Sequence, residues 1–389
     1  MCKPKKICVI SGTRAEYGLL RGVIEGIVKS SEMNLQLIAT GMHLSPEFGL
    51  TVNEIIADGY FIDRKIEMLL SSDTQVGITK SVGLAMIGFA DALLDLQPDL
   101  MLVLGDRYEA FAAASAAMIA NVPIAHLHGG EATEGVIDEA IRHCITKMSH
   151  LHFVAAEEYQ RRVIQLGEQP DCVFNVGGLG VDNIMRLKLL SKTELESELD
   201  FKLAPRNLLV TFHPVTLEKN TSVLQMEELL CSLSELRDTG LIFTMPNADA
   251  EGRNLFNLIE NFCRHNPLAR SYTSLGQLRY LSCIKYIDGV VGNSSSGLTE
   301  VPSFKKGTVN IGDRQRGRLR AKSVIDCEPR KHLISNAIEE IFSSKFDAKL
   351  ATVENPYGNG GASAAIIEIL EELDVERLIK KHFYDLQET

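Results

Sequence analysis

Short apolar runs alternate with longer amphipathic stretches along most of the chain. The apolar runs, in order, are KICVI, NLQLIAT, DLMLVLGD, VPIAHLHGG, LHFVAA, CVFNVGG, LLVTFHPV, LIFTMPN, YIDGVVGN and TVNIGD. The stretch RAEYGLLRGVIEGIVKS, which follows the first run, has the apolar spacing of a helix that packs on a sheet. Strands that alternate with helices in this way predict an α/β protein built on parallel sheets.

A polar helical segment interrupts this alternation near the middle of the chain. The segment SKTELESELDFKLAPRN spans residues 191–207, and strand-like runs resume directly after it. A chain of 389 residues is also longer than one hydrophobic core usually supports. We therefore predict two similar α/β domains, of which the first covers residues 1–185.

Several predicted strands end in small or chemically reactive residues. These ends read SGTRAEYG, TGMH, GDR, HLHGGE, TFHP, MPNADAEG, GNSSSG and IGDRQRGR. Open parallel sheets bind ligands just beyond the carboxyl ends of their strands. Two sheets with such ends predict a ligand site in a cleft between the domains.

The composition of the chain limits which partners it can bind and in which cellular compartment we expect it. The chain carries 40 Lys and Arg against 51 Asp and Glu, a net charge of −11, which argues against binding nucleic acid. The amino terminus has too short an apolar run for a signal peptide, and we expect no 18-residue apolar stretch, hence a cytoplasmic protein without a membrane segment. The eight cysteines include no CxxC pair, which predicts reduced thiols without disulfides or a zinc site.

The strand end GNSSSG runs directly into a predicted helix. Small residues and hydroxyls at this point suit a phosphate group, because the first N–H groups of a helix are free to donate. One serine would serve as a helix cap, whereas three in a row favour an anion site. Glu300, farther along the same helix, either binds the hydroxyls of a sugar or is a solvated surface residue.

Arginines follow two other predicted strands. Arg314 lies in IGDRQRGR, and Arg14 lies in SGTRAEYG, the loop after the first strand. A guanidinium in such a position can pair with phosphate or with the edge of a base, although a solvated loop would also explain it. The first loop lacks the GxGxxG spacing of a dinucleotide site, so NAD is disfavoured.

Two further motifs carry carboxylates that suit acid–base chemistry. GDR places Asp106 and Arg107 at the end of an apolar strand, where they either take part in chemistry or form a structural ion pair. The motif HLHGGEATEGVIDEAIRH gathers histidines and carboxylates around a Gly-Gly turn. A metal site there is disfavoured because no HExxH or HxxxH pair is present. His43 and His213 also follow predicted strands. Each of them either takes part in the site or is a hydrogen-bonded loop residue.

These motifs, taken in order, resemble the UDP-N-acetylglucosamine 2-epimerases. The resemblance is to the hydrolysing branch of bacterial sialic acid synthesis and extends from about residue 6 to about residue 365. It implies two Rossmann-like domains of the GT-B type with the active site in the interdomain cleft. It also implies a second domain over residues 186–368, a terminal helix over residues 369–389 that packs on the first domain, and a homodimer or homotetramer.

The family reaction eliminates UDP across C1–C2 of the sugar to give a glycal and then adds water with inversion at C2. The resemblance therefore implies a UDP-sugar substrate, with no metal and no cofactor. It implies acid–base roles for Asp106, Glu131 and Asp138, and a catalytic role for His213 in stabilising the departing diphosphate. It implies substrate contacts for Arg14, His43, Arg107, Asn247, Ser294, Ser295, Ser296, Glu300 and Arg314.

One departure from the family pattern concerns the second proton carrier. Many relatives have a glutamate where this chain has His128, and their loop before the aspartate that matches Asp138 is one residue shorter. We therefore expect Asp106 to act with support from Glu131 and Asp138, and with His128 as a replacement proton carrier.

Three alternatives to a UDP-N-acetylglucosamine substrate or to this activity remain open. The same chemistry could act on UDP-2,4-diacetamido-2,4,6-trideoxyglucose, which relatives use in legionaminic acid synthesis. A GT-B glycosyltransferase would bind a UDP-sugar in a similar way but would pass the sugar to an acceptor. A non-catalytic sensor of nucleotide sugars is disfavoured by the intact acid–base residues.

Overall fold

The structure is a computed structural model, and it divides the chain into two compact units. Unit 1 comprises Met1–Asn183 and Gly360–Thr389, and unit 2 comprises Ile184–Asn359. The sequence analysis placed the corresponding boundaries after residues 185 and 368. The structure describes residues 3–70, 74–133, 137–213, 221–245 and 250–386.

Unit 1 is built on strands that alternate with helices. Its strands are β1 (Lys5–Ser11), β2 (Met33–Thr40), β3 (Arg64–Ile66), β4 (Leu100–Leu104), β5 (Ile124–Leu127), β6 (Leu151–Val154) and β7 (Val173–Asn175). The helices between them are α1 (Arg14–Lys29), α2 (Val52–Ala57), α3 (Gln75–Leu96), α4 (Tyr108–Ile119), α5 (Ile137–Met148), α6 (Glu157–Gln165) and α7 (Leu179–Arg186). Short 3-10 helices cover Gly41–Leu44, Pro46–Phe48 and Pro170–Cys172.

The sheet of unit 1 is parallel throughout and doubly wound. Its strand order is β3-β2-β1-β4-β5-β6-β7. The chain builds outward from β1 to β3 and then restarts at β4, so the topological switch point lies between β1 and β4, where Ile7 pairs with Leu100. Ligands bind at the switch point of such sheets, beyond the carboxyl ends of the strands. The loops after β1 and β4 are therefore the places to look for chemistry.

Unit 2 repeats this plan. Its strands are β8 (Arg206–Thr211), β9 (Thr239–Thr244), β10 (Ala269–Tyr272), β11 (Gly289–Gly292), β12 (Gly307–Ile311) and β13 (Val324–Cys327). Its helices are α8 (Lys192–Leu199), α9 (Ser222–Leu233), α10 (Ala250–His265), α11 (Gly276–Tyr286), α12 (Ser296–Thr299), α13 (Lys331–Ile341) and α14 (Ser344–Ala351). The parallel strand order β10-β9-β8-β11-β12-β13 places the switch point between β8 and β11.

The last helix of the chain belongs to unit 1. Helix α15 spans Ala362–Glu372, and a 3-10 helix follows at Val375–Leu378, so the predicted helix over residues 369–389 is wrong in extent. The apolar stripe lies in ASAAIIEIL, whose Ile366 and Leu370 are buried, whereas the residues after it are mostly polar. Ile367 packs on α1 at Gly26, where a Cβ atom would lie 2.4 Å from its Cγ1 atom.

Helix α3 corrects the expectation that no stretch is apolar enough to cross a membrane. By length and composition alone it meets that criterion, with a mean hydropathy of 1.4 over 18 residues. The apolar run was not recognised in the sequence because it is interrupted by Lys80, Asp91 and Asp95. One face of α3 packs in the core of unit 1 through Ala85 and Phe89, as a core helix does. Only 33% of the apolar window is buried, so much of its apolar surface is uncovered within the described chain.

Candidate functional site

In unit 1, two loops flank the switch point of the sheet. The first joins β1 to α1, and the second, Gly105–Arg107, joins β4 to α4. Thr13 caps α1, because its hydroxyl accepts the N–H of Glu16 at 3.3 Å. The Glu16 carboxylate in turn accepts the N–H groups of Gly12 and Thr13 at 2.7 and 3.2 Å. This reciprocal capping box fixes the first loop and places a carboxylate beside the second.

Two carboxylates share the guanidinium of Arg107. The Glu109 side chain is 1% exposed, and its two oxygens lie 3.2 Å from Nε and Nη2 of Arg107. Glu16 Oε1 lies 3.9 Å from Arg107 Nε. Gly41 leaves room for this cluster, since a Cβ there would lie 2.9 Å from Glu109. Desolvation, followed by the charge of Glu109, raises the pKa of Glu16 to about 7.

We expect Glu16→Gln to change the pH dependence of stability. Because the pKa of Glu16 is about 7 in the folded protein, above its ordinary 4.5, the folded protein binds more protons than the unfolded chain between these values. Stability is therefore lost as the pH rises through this window. In urea unfolding, the free energy of Glu16→Gln relative to wild type should rise by on the order of 1–3 kcal/mol from pH 5 to pH 8. A pH-independent difference, as expected for the exposed control Glu32→Gln, would contradict the buried titration.

Asp106 is held by a buried guanidinium. Its Oδ2 atom accepts a short hydrogen bond from Arg142, whose side chain is 1% exposed, whereas that of Asp106 is 26% exposed. Arg142 also donates to the carbonyl oxygen of Glu131 and to Glu139 Oε2, both at 2.8 Å, and to Thr133 Oγ1 at 3.0 Å. A guanidinium with all these acceptors has one orientation. Asp106 is thus a fixed carboxylate that reaches solvent.

Two adjacent carboxyl groups on α5 have pKa shifts of opposite sign. Burial, followed by the charge of Asp106, raises the pKa of Asp138. Burial acts on Glu139 in the same direction, but the N–H of Thr133 and the guanidinium of Arg142 outweigh it and lower the pKa of Glu139. Carboxyl groups whose pKa values are pushed apart suit opposite roles in proton transfer. Asp138 is the group of the two that holds a proton more readily.

His128 and Glu131 form a second pair of proton-carrying groups. His128 Nδ1 lies 3.0 Å from Glu131 Oε1, and the side chains are 19% and 10% exposed. The neighbouring His126 is fully buried, and its Nε2 atom bonds to the carbonyl oxygen of Gly105 at 2.8 Å. Burial lowers the pKa of His126 to about 3, so the ring is neutral. His126 therefore supports the Asp106 loop, whereas the side chain of His128 stays partly exposed.

Two predicted substrate contacts of unit 1 have partners inside the unit. Arg14 Nε pairs with Glu54 Oε1 at 2.8 Å, and the Arg14 side chain is 53% exposed. His43 is fully buried, and its ring nitrogens lie 2.8 Å from the hydroxyls of Ser11 and Thr51. Burial lowers the pKa of His43 to about 4. We propose that His43 supports the loop after β1, whereas Arg14 stays accessible to a ligand.

In unit 2, Asn293 connects the loops at the switch point. Its side chain accepts the N–H of His213 at 2.7 Å and donates to the His213 carbonyl oxygen at 2.8 Å. Its own carbonyl oxygen accepts from Arg314 Nη1 at 3.1 Å and from Gln315 Nε2 at 2.9 Å. The ends of β8 and β11 and the loop after β12 are thereby tied to one residue.

The turn after β11 is tighter than the sequence predicted. Gly292 has φ 141°, and a Cβ there would lie 1.9 Å from the Thr211 carbonyl oxygen, so only glycine fits. Helix α12 is one turn long because a 3-10 helix containing Pro302 follows it at Val301–Phe304. The backbone N–H groups of Ser294 and Ser295 have no acceptor among the residues that the structure describes. These N–H groups, more than a helix dipole, are what an anion would meet.

A carboxyl and a phenol stand next to this turn. The Ser296 hydroxyl donates a short hydrogen bond to Glu300 Oε2, and burial raises the pKa of Glu300. The Tyr280 hydroxyl is buried beside Ser294 and Ser296, and desolvation, followed by the charge of Glu300, raises its pKa. Both groups therefore favour their protonated forms, which donate hydrogen bonds to ligand oxygens.

Arg314 is an exposed cation without a carboxylate partner in the described part of the chain. Desolvation by its loop, followed by the charge of Arg318, lowers the pKa of Arg314. By contrast, Arg320 of the same loop pairs with Asp326 at 3.3 Å. A guanidinium that lacks a counterion and stands near a second arginine favours a phosphate ligand.

The sequence-predicted residues thus fall into one group on each unit. Unit 1 holds Arg14, His43, Asp106, Arg107, His128, Glu131 and Asp138, and unit 2 holds His213, Ser294, Ser295, Ser296, Glu300 and Arg314. Asn247 lies outside the described residues.

Comparison with known proteins identifies the family. The family model described as UDP-N-acetylglucosamine 2-epimerase matches residues 26–371. The chain belongs to this family. A GDP/UDP-N,N'-diacetylbacillosamine 2-epimerase (hydrolyzing) of Campylobacter jejuni is 43% identical over 98% of this chain and 99% of its own. A polysialic acid biosynthesis protein of Escherichia coli is 39% identical over 99% of this chain and 98% of its own.

A solved structure of the UDP-N-acetylglucosamine 2-epimerase family has the same fold. The crystal structure of the Neisseria meningitidis UDP-GlcNAc 2-epimerase bound to UDP-GlcNAc matches with a TM-score of 0.80 at 20% identity, over 94% of this chain and 99% of that one. The resemblance noted from the motifs is therefore confirmed. So is the predicted fold class of two Rossmann-like α/β domains of the GT-B type.

Four residues in these clusters of the 2-epimerase chain were missed from the sequence: Glu16, Glu109, Asn293 and Tyr280. The spacing of TRAE, in which Thr13 precedes Glu16 by three residues, is that of a capping box and could have indicated the backbone contact. Nothing in the sequence indicated that Glu16 meets Glu109. Asn293 lay inside the quoted motif GNSSSG, but its bonds to residues after β8 and β12 are visible only in the fold.

Proposed function

We propose that the protein is a hydrolysing 2-epimerase that converts a nucleoside-diphosphate-linked 2-acetamido sugar to the free 2-epimer and the nucleoside diphosphate. One observation carries the proposal. At the switch point of unit 1, Asp106 is fixed by the buried Arg142, and burial, followed by the charge of Asp106, raises the pKa of the nearby Asp138. Two carboxyl groups in different surroundings beside one another are what a reaction with two proton transfers at one carbon needs.

The proposed reaction has two steps. In the first, the bond from C1 to the diphosphate oxygen breaks, a base takes the proton from C2, and a glycal with a C1–C2 double bond forms. In the second, water supplies a hydroxyl to C1, and C2 receives a proton on the opposite face. The net change consumes one water and inverts C2, so it requires neither an oxidant nor a reductant.

We propose that Asp106 is the base that removes the proton from C2. Its carboxylate is oriented by the Arg142 contact and reaches solvent, whereas Glu109 and His126 are closed off by burial. The proton that returns to the other face comes from the group formed by Asp138, Glu131 and His128. The pair of His128 and Glu131, 3.0 Å apart, can relay a proton, and burial, followed by the charge of Asp106, raises the pKa of Asp138.

Unit 2 would hold the leaving group. The N–H groups of Ser294 and Ser295 and the guanidinium of Arg314 are donors at the switch point of unit 2, and none of them has an acidic partner among the residues described. A departing diphosphate develops negative charge at its bridging oxygen, which such donors stabilise. We assign the ribose hydroxyls to Glu300 and to the neighbouring Tyr280, and His213, fixed by Asn293, stands at the same switch point.

The sugar that the relatives suggest first is 2,4-diacetamido-2,4,6-trideoxyglucose. The relative that is 43% identical is a 2-epimerase of the GDP- or UDP-linked form of this sugar, N,N'-diacetylbacillosamine. N-Acetylglucosamine, our primary expectation from the sequence, is the second candidate, because the family model bears the name of that substrate and a 39% identical relative serves polysialic acid biosynthesis. We expect the protein in the cytoplasm, where such nucleotide sugars are made.

A panel of three substrates tests this function. Purified protein is incubated with UDP-N,N'-diacetylbacillosamine, GDP-N,N'-diacetylbacillosamine and UDP-N-acetylglucosamine, and nucleoside diphosphate and free sugar are quantified by chromatography. We expect at least one substrate to give both products in equal amounts, with the diacetamido sugar turned over fastest. Nucleotide release only in the presence of a sugar acceptor would contradict the proposal and indicate a glycosyltransferase. Binding of every substrate without turnover would indicate a sensor.

The double variant Ser294→Ala, Ser295→Ala should chiefly weaken nucleotide binding. Loss of both hydroxyls removes two donors to the diphosphate while leaving unit 1 unchanged. We expect the Kd for UDP, measured by calorimetry, to rise by about 10²–10⁴-fold, because each of the two lost hydrogen bonds to a charged group is worth about 1.5–3 kcal/mol. Ser234→Ala with Ser274→Ala is the matched control, since both serines are exposed in unit 2. Unchanged affinity in the first variant would contradict the assignment of these two hydroxyls to the diphosphate.

A further inference from the structure

A buried turn of unit 2 lies in the segment NPYGNGGAS, to which the proposed reaction gives no role. We define the NPYG turn as residues 355–358. Asn355 is 9% exposed, and its Oδ1 atom accepts the N–H of Tyr357 at 3.0 Å. The N–H of Gly358 donates to the Asn355 carbonyl oxygen at 3.0 Å. The turn is therefore closed by its own residues, and the amide nitrogen of Asn355 is left to donate elsewhere.

The amide nitrogen of Asn355 donates to two acceptors on either side of Glu300. It lies 2.7 Å from the Thr299 carbonyl oxygen and 2.7 Å from Ser303 Oγ. One acceptor belongs to the residue before Glu300, and the other belongs to the residue three positions after it. Asn355 therefore holds the backbone that carries the Glu300 carboxyl group.

This stretch of backbone needs an outside donor because the helix changes type at Glu300. Helix α12 ends at Thr299, and the 3-10 helix Val301–Phe304 follows. The Thr299 carbonyl oxygen would accept from Ser303 in an α-helix and from Pro302 in a 3-10 helix. Pro302 has no N–H, and the N–H of Ser303 donates to the Glu300 carbonyl oxygen at 3.0 Å instead. The Thr299 carbonyl oxygen thus receives its hydrogen bond from Asn355.

Without the Asn355 amide, the backbone has a competing arrangement. A carbonyl oxygen left without a donor inside a protein is costly, and α-helical geometry offers it the N–H of Ser303. Moving that hydrogen bond from the Glu300 carbonyl oxygen to the Thr299 carbonyl oxygen would convert the turn from 3-10 to α. The side chain of Glu300 would then leave the backbone in another direction and lose its present contact with the Ser296 hydroxyl.

The NPYG turn also contacts the loop that carries Arg314. Tyr357 is 2% exposed, and its hydroxyl donates to the Leu319 carbonyl oxygen at 3.3 Å. Leu319 lies between β12 and β13, in the same loop as Arg314. The turn is therefore anchored to both segments of unit 2 to which nucleotide contacts are assigned, and this anchoring limits how far Asn355 can move.

We propose that Asn355 is a positioning residue of the nucleotide site, which holds the Thr299 carbonyl oxygen and thereby fixes the direction from which the Glu300 carboxyl group meets the ribose. The inference rests on the proposed function only in the assignment of the ribose to Glu300. It depends neither on the identity of the sugar nor on turnover.

The preference for ribose over deoxyribose tests this role. The Kd values for UDP and for 2′-deoxy-UDP are measured by calorimetry near neutral pH, and their ratio is compared between variants. We expect wild type to bind UDP about tenfold more tightly, as one hydrogen bond to the 2′-hydroxyl predicts. Asn355→Asp keeps the acceptor for the N–H of Tyr357 but lacks the donor. Its two Kd values should therefore agree within about twofold, with that for 2′-deoxy-UDP changed by less than about threefold.

A second variant and a matched control accompany this substitution. Asn355→Ala removes the donor without adding a charge and should lower the ratio in the same way. Circular dichroism and urea unfolding establish that each variant is folded. Asn266→Asp is the control, because Asn266 also precedes a proline in unit 2 and its Oδ1 atom accepts the N–H of Leu268 at 3.0 Å. Its ratio should remain that of wild type.

A double variant tests whether Asn355 acts through Glu300. In Glu300→Ala, the preference for UDP should fall to within about twofold of none. Adding Asn355→Ala to Glu300→Ala should change the ratio no further, because the two residues serve one contact. A further fall in the ratio would show that Asn355 acts on the ribose by another route and would overturn the proposal.

Several other results would also overturn it. Equal weakening of both ligands in the Asn355 variants, or loss of folding in both variants, would assign Asn355 to stability alone. An unchanged ratio in a folded Asn355 variant, a Glu300→Ala variant with the wild-type ratio, or a wild type without preference for UDP would contradict the assigned contact. Failure of the proposed reaction would appear separately in the substrate panel, because neither ligand is turned over.

Discussion

Asp106→Asn is expected to lower turnover by about 10²–10⁴-fold, the range that a positioned general base contributes. The amide keeps the size of the side chain and can still accept the hydrogen bond from Arg142, but it cannot take a proton from C2. Steady-state kinetics should therefore show the loss in kcat, and calorimetry should show a nearly unchanged Kd for UDP, because the donors assigned to the nucleotide lie in unit 2.

The control for this substitution is Asp171→Asn, which changes an exposed aspartate of unit 1 and should leave kcat unchanged. If Asp106→Asn retained near-normal turnover, Asp106 would be a structural partner of Arg142 and the base would have to be sought among Asp138, Glu131 and His128.

Arg142→Met should damage both stability and turnover. It removes a guanidinium that is 1% exposed and leaves Asp106, Glu139 and the Glu131 carbonyl oxygen without their donor. Breaking a buried ion pair from one side typically costs about 3–5 kcal/mol, and we expect a fall of that size in the free energy of unfolding by urea. Turnover should fall at least as far as in Asp106→Asn, since the carboxylate loses its orientation.

A second variant separates the two effects. Arg142→Lys keeps the charge but cannot form the same set of hydrogen bonds, so it should recover part of the stability while turnover stays low. Arg161→Met, which removes one partner of an exposed ion pair with Glu157, should change neither quantity measurably. Full activity of Arg142→Met in a folded protein would show that Asp106 needs no positioning residue.

Local sequence patterns were sufficient to predict the parts of the fold that depend on them. Apolar runs such as LMLVL are buried on both faces in a parallel sheet, so they indicate β4 directly. The residues after these runs, including Asp106 and Arg314, could be singled out because parallel strands deliver their carboxyl ends to one edge of the sheet. Motif order then indicated the family, which no single motif could have done.

The contacts between distant segments could not be predicted in the same way. Arg142 stood in a quoted motif, but that it is buried and bonded to Asp106, 36 residues earlier, follows only from the packing of α5 on α4, the helix that follows Asp106. The raised pKa of Glu16 depends first on its burial and then on the charge of Glu109, which approaches across Gly41. The outer face of α3 was hidden because its charges broke the apolar run, although those charges lie on the exposed side of the helix.

Proton NMR of the reaction in deuterated water tests the central claim most directly. The substrate that the panel selects is incubated with the protein, and the free sugar is observed as it forms. Elimination followed by hydration predicts release of nucleoside diphosphate together with a sugar that is inverted at C2 and carries deuterium there. A free sugar that retains hydrogen at C2 and its original configuration would show simple hydrolysis at C1 and would contradict the proposed roles of Asp106 and its neighbours.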